Sequence, residues 1–148
     1  MPRLGTLLAA ALLCSLNLLA PAQSGEHETL SVEDPWLRVG PPTQRNAAGY
    51  LTVHNQADEP AALVGISSPI ARTAELHTME IDDAGLMSLQ RLLALEIPAG
   101  GRATLAPGGD HLMFIGLESA LEAGNQYPVT LTFADGTELT LDFAARLP

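Results

Sequence analysis

The sequence predicts a single all-β domain, an antiparallel sandwich or Greek-key barrel, and three observations carry that expectation. Short runs rich in Val, Leu, Ile, Thr and aromatic residues recur along the chain. Gly, Pro, Asn and Asp punctuate them at the roughly eight- to twelve-residue spacing of sandwiches and barrels. Helical composition is confined to Glu118–Gly124, enough for a turn or two at most.

The elements follow in order. Residues 1–22 read as a secretory signal peptide: Arg3 gives the positive start, Leu7 to Leu19 the apolar run, and Ala20-Pro21-Ala22 the small-x-small cleavage pattern. The run is too short for a confident membrane span and nothing later approaches one, so no span is expected after signal removal. Cys14 lies inside the run without a lipoprotein cleavage box before it, and no lipid anchor is expected. The remaining domain, residues 23–148, begins with a polar stretch, Gln23–Glu28. Leu30–Val32 and Trp36–Val39 flank an Asp-Pro break, and Ala47–His54 is the next strand. Ala61–Ile66 and Thr73–Met79 lead to the charged loop Glu80–Gly85. Leu86–Gln90, Leu92–Ile97, Arg102–Leu105 and His111–Leu117 continue the series. Val129–Phe133 and Glu138–Phe143 close it, joined through Asp135-Gly136, a strong hairpin signal.

Composition then excludes function classes. The 148 residues carry 17 acidic and 7 basic side chains, a net charge of −10. Removing residues 1–22 takes one Arg and no acid, leaving 6 basic against 17 acidic groups and −11. Such a chain lacks the basic footprint that nucleic acid requires. Cys14 is the sole cysteine, so the domain after the signal has no disulfide, thiolate nucleophile or thiolate metal site. It has no Lys either, which removes Schiff-base chemistry. No GxSxG elbow, HExxH helix or paired-carboxylate arrangement is present, and an enzyme is not expected.

The sulfur and imidazole groups are clustered. Apart from the initiator, the methionines are Met79, Met87 and Met113, all within a window from His77 to Met113 that is under a third of the mature chain. His77-Thr78-Met79 and His111-Leu112-Met113 are both His-x-Met. On a strand, i and i+2 share a face, so each tripeptide presents an imidazole beside a thioether. Thioether is a soft neutral ligand suited to Cu(I), and imidazole suits copper as well. Blue-copper electron transfer needs Cys and is excluded. The competing reading is that the methionines simply pack the core, in a metal-free β-sandwich that serves binding or assembly.

The stretches AELHTMEIDDAGLMSLQ and EIPAGGRATLAPGGDHLMFIGL resemble the periplasmic copper chaperones of the PCu(A)C family. WLRVGPPTQRNAAGYLTVHN resembles the family's opening segment, so the similarity runs from about Trp36 to Phe143. The resemblance implies a cupredoxin-like Greek-key fold and a periplasmic location. It also implies one Cu(I) held by two His and two Met. The acceptor it implies is a cytochrome c oxidase subunit or another periplasmic copper protein. His77, His111 and Met113 match the family's ligand positions. The fourth, a methionine counted back from Pro98, falls at Leu89, which cannot ligate. The sulfur is then expected from Met87, narrowly preferred, or Met79, with a weakened three-ligand site as the remaining alternative. The His- and Met-rich tail that some relatives carry has no counterpart in Ala144–Pro148, so a second copper ion is not expected.

Other residues receive plainer assignments. His54 is read as structural or exposed, and His27 as uninvolved. Trp36, Tyr50, Phe114, Phe133 and Phe143 are read as core or rim aromatics. Asp82-Asp83 is read as a solvated loop, and Asp110, just before His111, as a candidate to orient an imidazole or shape the mouth of the site.

Overall fold

The computed structural model describes residues 28–148; the signal segment, Cys14 and His27 lie outside them. Ten strands form: β1 (Leu30–Arg38), β2 (Asn46–Asn55), β3 (Ala61–Ser67), β4 (Ala71–Ile81) and β5 (Met87–Leu92), then β6 (Leu95–Ile97), β7 (Arg102–Leu105), β8 (His111–Leu117), β9 (Gln126–Phe133) and β10 (Glu138–Arg146). They hydrogen-bond in the order β5-β4-β8-β2-β1-β10-β9-β3-β6, with β7 also paired to β2. All the pairings are antiparallel except β1 with β10, where Trp36 faces Ala144 in parallel register. A long folded-over path with non-sequential neighbours is the all-β, Greek-key type of architecture expected.

Alternation sets the core. On β8, Leu112 and Phe114 are fully buried, and on β4 Leu76 packs beside them. Phe133 and Leu131 of β9, Phe143 of β10, Leu37 of β1 and Val53 of β2 complete the same cluster. Gly49 of β2 is opposite Leu112, where an added Cβ would stand 2.9 Å from the Phe114 ring. The residues of opposite parity on β2, β4 and β8 therefore lie on the other face of the sheet.

Three elements differ from the sequence expectation. Leu92–Ile97, expected as one strand, is divided: Leu92 closes β5 and Leu95–Ile97 forms β6. The Asp-Pro break does not end a strand; β1 runs through it as a bulge between Glu33 and Trp36. Asp34 adopts φ +47°, a conformation Asp tolerates better than most residues, and Pro35 asks for no ladder hydrogen bond there. Arg146 fixes the bulge by a paired ion contact, donating from Nη1 to Asp34 Oδ2 at 3.1 Å. Glu118–Gly124 forms no helix. A turn or two cannot repay helix nucleation, and the following backbone is drawn to β10, with Gly124 N donating to Ala145 O at 2.9 Å.

Candidate metal centre

Antiparallel register brings the predicted residues together. His77 on β4 is the cross-strand partner of His111 on β8, and Glu75 that of Met113. The two imidazole rings stand 5.9 Å apart, edge to face. Because His77 and Glu75 are two apart, as are His111 and Met113, all four share the outer face of the sheet. Burial is nonetheless substantial: His111 is 8 % exposed and the His77 side chain 13 %. Both rings are thus sheltered from solvent although they lie on the outer face.

The turn before β8 orients His111. In Ala106-Pro107-Gly108-Gly109, Gly109 N donates to Ala106 O at 3.0 Å and Gly108 takes φ +84°. Pro at the second position and Gly at the third are the requirements of a type II turn. The turn leaves the Gly109 carbonyl 3.0 Å from His111 Nδ1. A carbonyl only accepts, so Nδ1 carries a hydrogen, and in the neutral ring Nε2 keeps its lone pair. Asp110, expected to orient this ring, is replaced in that role by the Gly109 backbone.

His77 is oriented differently. Its Nε2 lies 2.9 Å from Glu75 Oε2. That hydrogen bond holds the Glu75 carboxyl below its ordinary range, against desolvation, with the charge of Arg91 adding to it. Arg91 Nη1 stands 3.8 Å from Glu75 Oε1. Among the described residues, His77 Nδ1 is the one buried side-chain nitrogen or oxygen with no hydrogen-bond partner. An unpartnered buried nitrogen normally costs stability, so a site for a ligand is a natural reason to keep one.

The two candidate sulfurs fall in different places. Met79 is two residues from His77 on the same strand face and is partly buried. It stands opposite Leu89 of β5. Met87 pairs with Ile81, four residues along β4 from His77, which is about 13 Å by strand rise. It is 59 % exposed at the edge of the sheet, and Leu89 is 48 % exposed. His54 stands apart from this group, bonded to Glu33 at 2.7 Å. Asp82 is engaged in its own loop, Oδ1 accepting from the N–H groups of Ala84 and Leu86 at 2.9 and 2.8 Å. No group of three His, Cys, Asp or Glu able to hold a metal occurs among the described residues. The cluster is thus two imidazoles flanked by thioethers, a soft donor set.

The family model described as "Putative lipoprotein LpqE-like" matches residues 30–145. The chain belongs to this LpqE-like, PCuAC-type family. Among solved structures, it is similar to the copper-bound PCuAC domain from PmoF2, with 31 % identity and a TM-score of 0.69. That match covers 81 % of this chain and 94 % of the domain. The Cu(I) form of DR1885 from Deinococcus radiodurans is 33 % identical, covering 86 % of this chain and 82 % of that one, with a TM-score of 0.58. A curated relative, "Putative lipoprotein Lxx21020" of Leifsonia xyli subsp. xyli, is 33 % identical over 138 residues, 89 % of this chain and 82 % of its own. The all-β, cupredoxin-like fold expected from sequence is the fold these family members share.

Glu75, Arg91 and the Gly109 carbonyl were not singled out by sequence reasoning. For Glu75 a signal was present: it precedes His77 by two and so shares its strand face. Nothing local marks Arg91, because its place opposite His77 is a matter of register.

Proposed function

We propose that this chain is an exported carrier of one Cu(I) ion, held by His77, His111, Met113 and Met79 and passed to another protein. The observation that carries the reading is the pairing of His77 with His111 across β4 and β8, with the buried, unpartnered Nδ1 of His77 between strands that also bear the thioethers. Neutral imidazole and thioether ligands leave a Cu(I) centre its single positive charge, and thioethers exchange without protonation. Both properties suit cargo over a permanent cofactor. Met79 is preferred to Met87 because it adjoins His77 on one strand face.

The family supports the remainder. Copper-bound relatives support Cu(I) as cargo, and relatives named as lipoproteins support export, with residues 1–22 as the export signal and 23–148 as the carrier domain. We assign the periplasm as the compartment. The copper centre of cytochrome c oxidase, or another periplasmic copper protein, is the proposed acceptor.

The test is a Cu(I) titration of residues 23–148 against a competing chelator under reducing conditions. One equivalent is expected to bind. His77→Ala, His111→Ala and Met113→Ala are each expected to weaken binding at least as much as the tenfold to hundredfold typical of losing an outer-sphere partner. His54→Ala is expected to leave it unchanged. Equal affinity in all four variants would remove the proposed site.

A further inference from the structure

We propose that Glu75 is a positioning residue that selects the copper-binding nitrogen of His77, so that the two histidines meet the ion through different atoms: Nδ1 of His77 and Nε2 of His111. The inference rests on the copper reading above and deepens it. Neutral imidazole has one N–H and one lone pair. A carboxylate oxygen 2.9 Å from His77 Nε2 accepts, so Nε2 bears the hydrogen and the lone pair falls on Nδ1. That atom is the buried one with no protein partner. On His111 the order is reversed, since the Gly109 carbonyl takes the Nδ1 hydrogen and leaves Nε2 free.

The asymmetry has a geometric consequence. Nδ1 is close to its own backbone, whereas Nε2 is at the far end of the ring. Directly opposed strands carry the two histidines, with 5.9 Å between ring centroids. A near nitrogen from β4 and a far nitrogen from β8 approach an ion from different heights above the sheet, with Met79 on one side of the histidine rung and Met113, level with Glu75, on the other. Arg91 completes the arrangement: it is opposite His77 in register, and its guanidinium, 3.8 Å from Oε1, draws on the carboxylate oxygen that His77 does not use. A carboxylate behind a ligating imidazole fixes ring orientation and raises ligand basicity, and its loss typically costs tenfold to hundredfold in affinity.

Long-range proton–nitrogen correlation spectra of the imidazoles test this in the apo protein, before any copper is added. His77 is expected to show a protonated Nε2 and an unprotonated Nδ1, and His111 the opposite. Glu75→Ala is expected to mix the tautomers of His77 and lower Cu(I) affinity by about tenfold or more. Glu75→Gln, whose amide oxygen still accepts from Nε2, is expected to retain the tautomer and most of the affinity. On loading, the nitrogen shift should move at His77 Nδ1. An unprotonated Nε2 in wild-type apo protein overturns the inference, as does a Glu75→Ala protein with unchanged tautomer and affinity. Should Glu75→Ala not fold, the wild-type spectrum and Glu75→Gln decide it. Failure of the wild type to bind Cu(I) overturns the copper reading as well, whereas binding with the wrong nitrogen overturns this inference alone.

Discussion

At the scale of single residues, register bears directly on which sulfur serves as the fourth ligand of the proposed site. Leu89 occupies the position where the family's methionine is expected, and its cross-strand partner is Met79. Side chains directly opposed on one sheet face have Cβ atoms about 5 Å apart. A thioether moved from Leu89 to Met79 has thus crossed one rung of the ladder, a displacement that the three rotatable bonds of Met can take up. Met87 would have to reach back from the exposed end of β5. Met79→Leu is therefore expected to weaken Cu(I) binding by about tenfold or more, and Met87→Leu to leave it within about twofold, on the scale of ligand-sphere losses. Leu89→Met should add little to the wild type but restore affinity to Met79→Leu. Chelator competition on the four proteins checks this, and a loss confined to Met87→Leu would return the ligand to β5. Because i and i+2 on a strand share a face whatever the strand pairs with, the sequence alone sets His77 beside Met79 and His111 beside Met113, whereas the pairing of His77 with His111 is a matter of register. The choice between Met79 and Met87 was not legible that way, because it depends on distance along a hairpin whose register spacing counts do not fix.

At the scale of elements, turns decide where the ligands point. The type II turn before β8 requires a positive φ at Gly108, and it delivers the Gly109 carbonyl to His111 Nδ1. An added Cβ at Gly108 meets nothing within 4 Å, so Gly108→Ala would act through backbone conformation alone. The left-handed penalty is about 1–2 kcal/mol, which corresponds to a melting-temperature fall of several degrees for a domain of this size. Gly136, in the β9–β10 hairpin at φ +89° with nothing within 4 Å of its Cβ, is the matched control. Both Ala variants are expected to melt lower, but only Gly108→Ala should also lose Cu(I) affinity, because only there does the turn orient a proposed ligand, His111. Equal affinity in the two would separate the turn from the site. The same scale explains what the strand pattern missed. Alternation marked most of the strands because most have one buried face; β5, exposed from Met87 to Arg91, was marked by composition instead. The strand pattern read Asp34-Pro35 as a break because a bulge and a strand end share the same residues, and the distinction is made by pairing with β2 and by Arg146 from the far end of the chain. Parallel pairing of β1 with β10 likewise joins segments about a hundred residues apart, and local periodicity carries no information on it.

Across the whole molecule, the net charge of −10 acts on anything that approaches the site. Locally the sign is the same: Glu75, Glu80, Asp82, Asp83 and Asp110 lie on or beside β4, β5 and the turn before β8, with Arg91 the basic residue opposite His77. A negative field around a cargo site raises the encounter rate of cations and of partners with basic patches, and it repels anions. The field is screened beyond about 8–10 Å at physiological ionic strength, so its action is on rates of approach more than on the affinity of the bound ion. Two chelators of matched Cu(I) affinity, one carrying sulfonates and one uncharged, separate these effects. Copper removal by the anionic chelator is expected to start slow and accelerate several-fold as salt rises from about 10 mM to 150 mM, while removal by the neutral one stays nearly constant. Equal salt response in both would mean that release from the site, not approach to it, limits transfer. In that case the acidity of the chain would serve solubility and not the passage of copper.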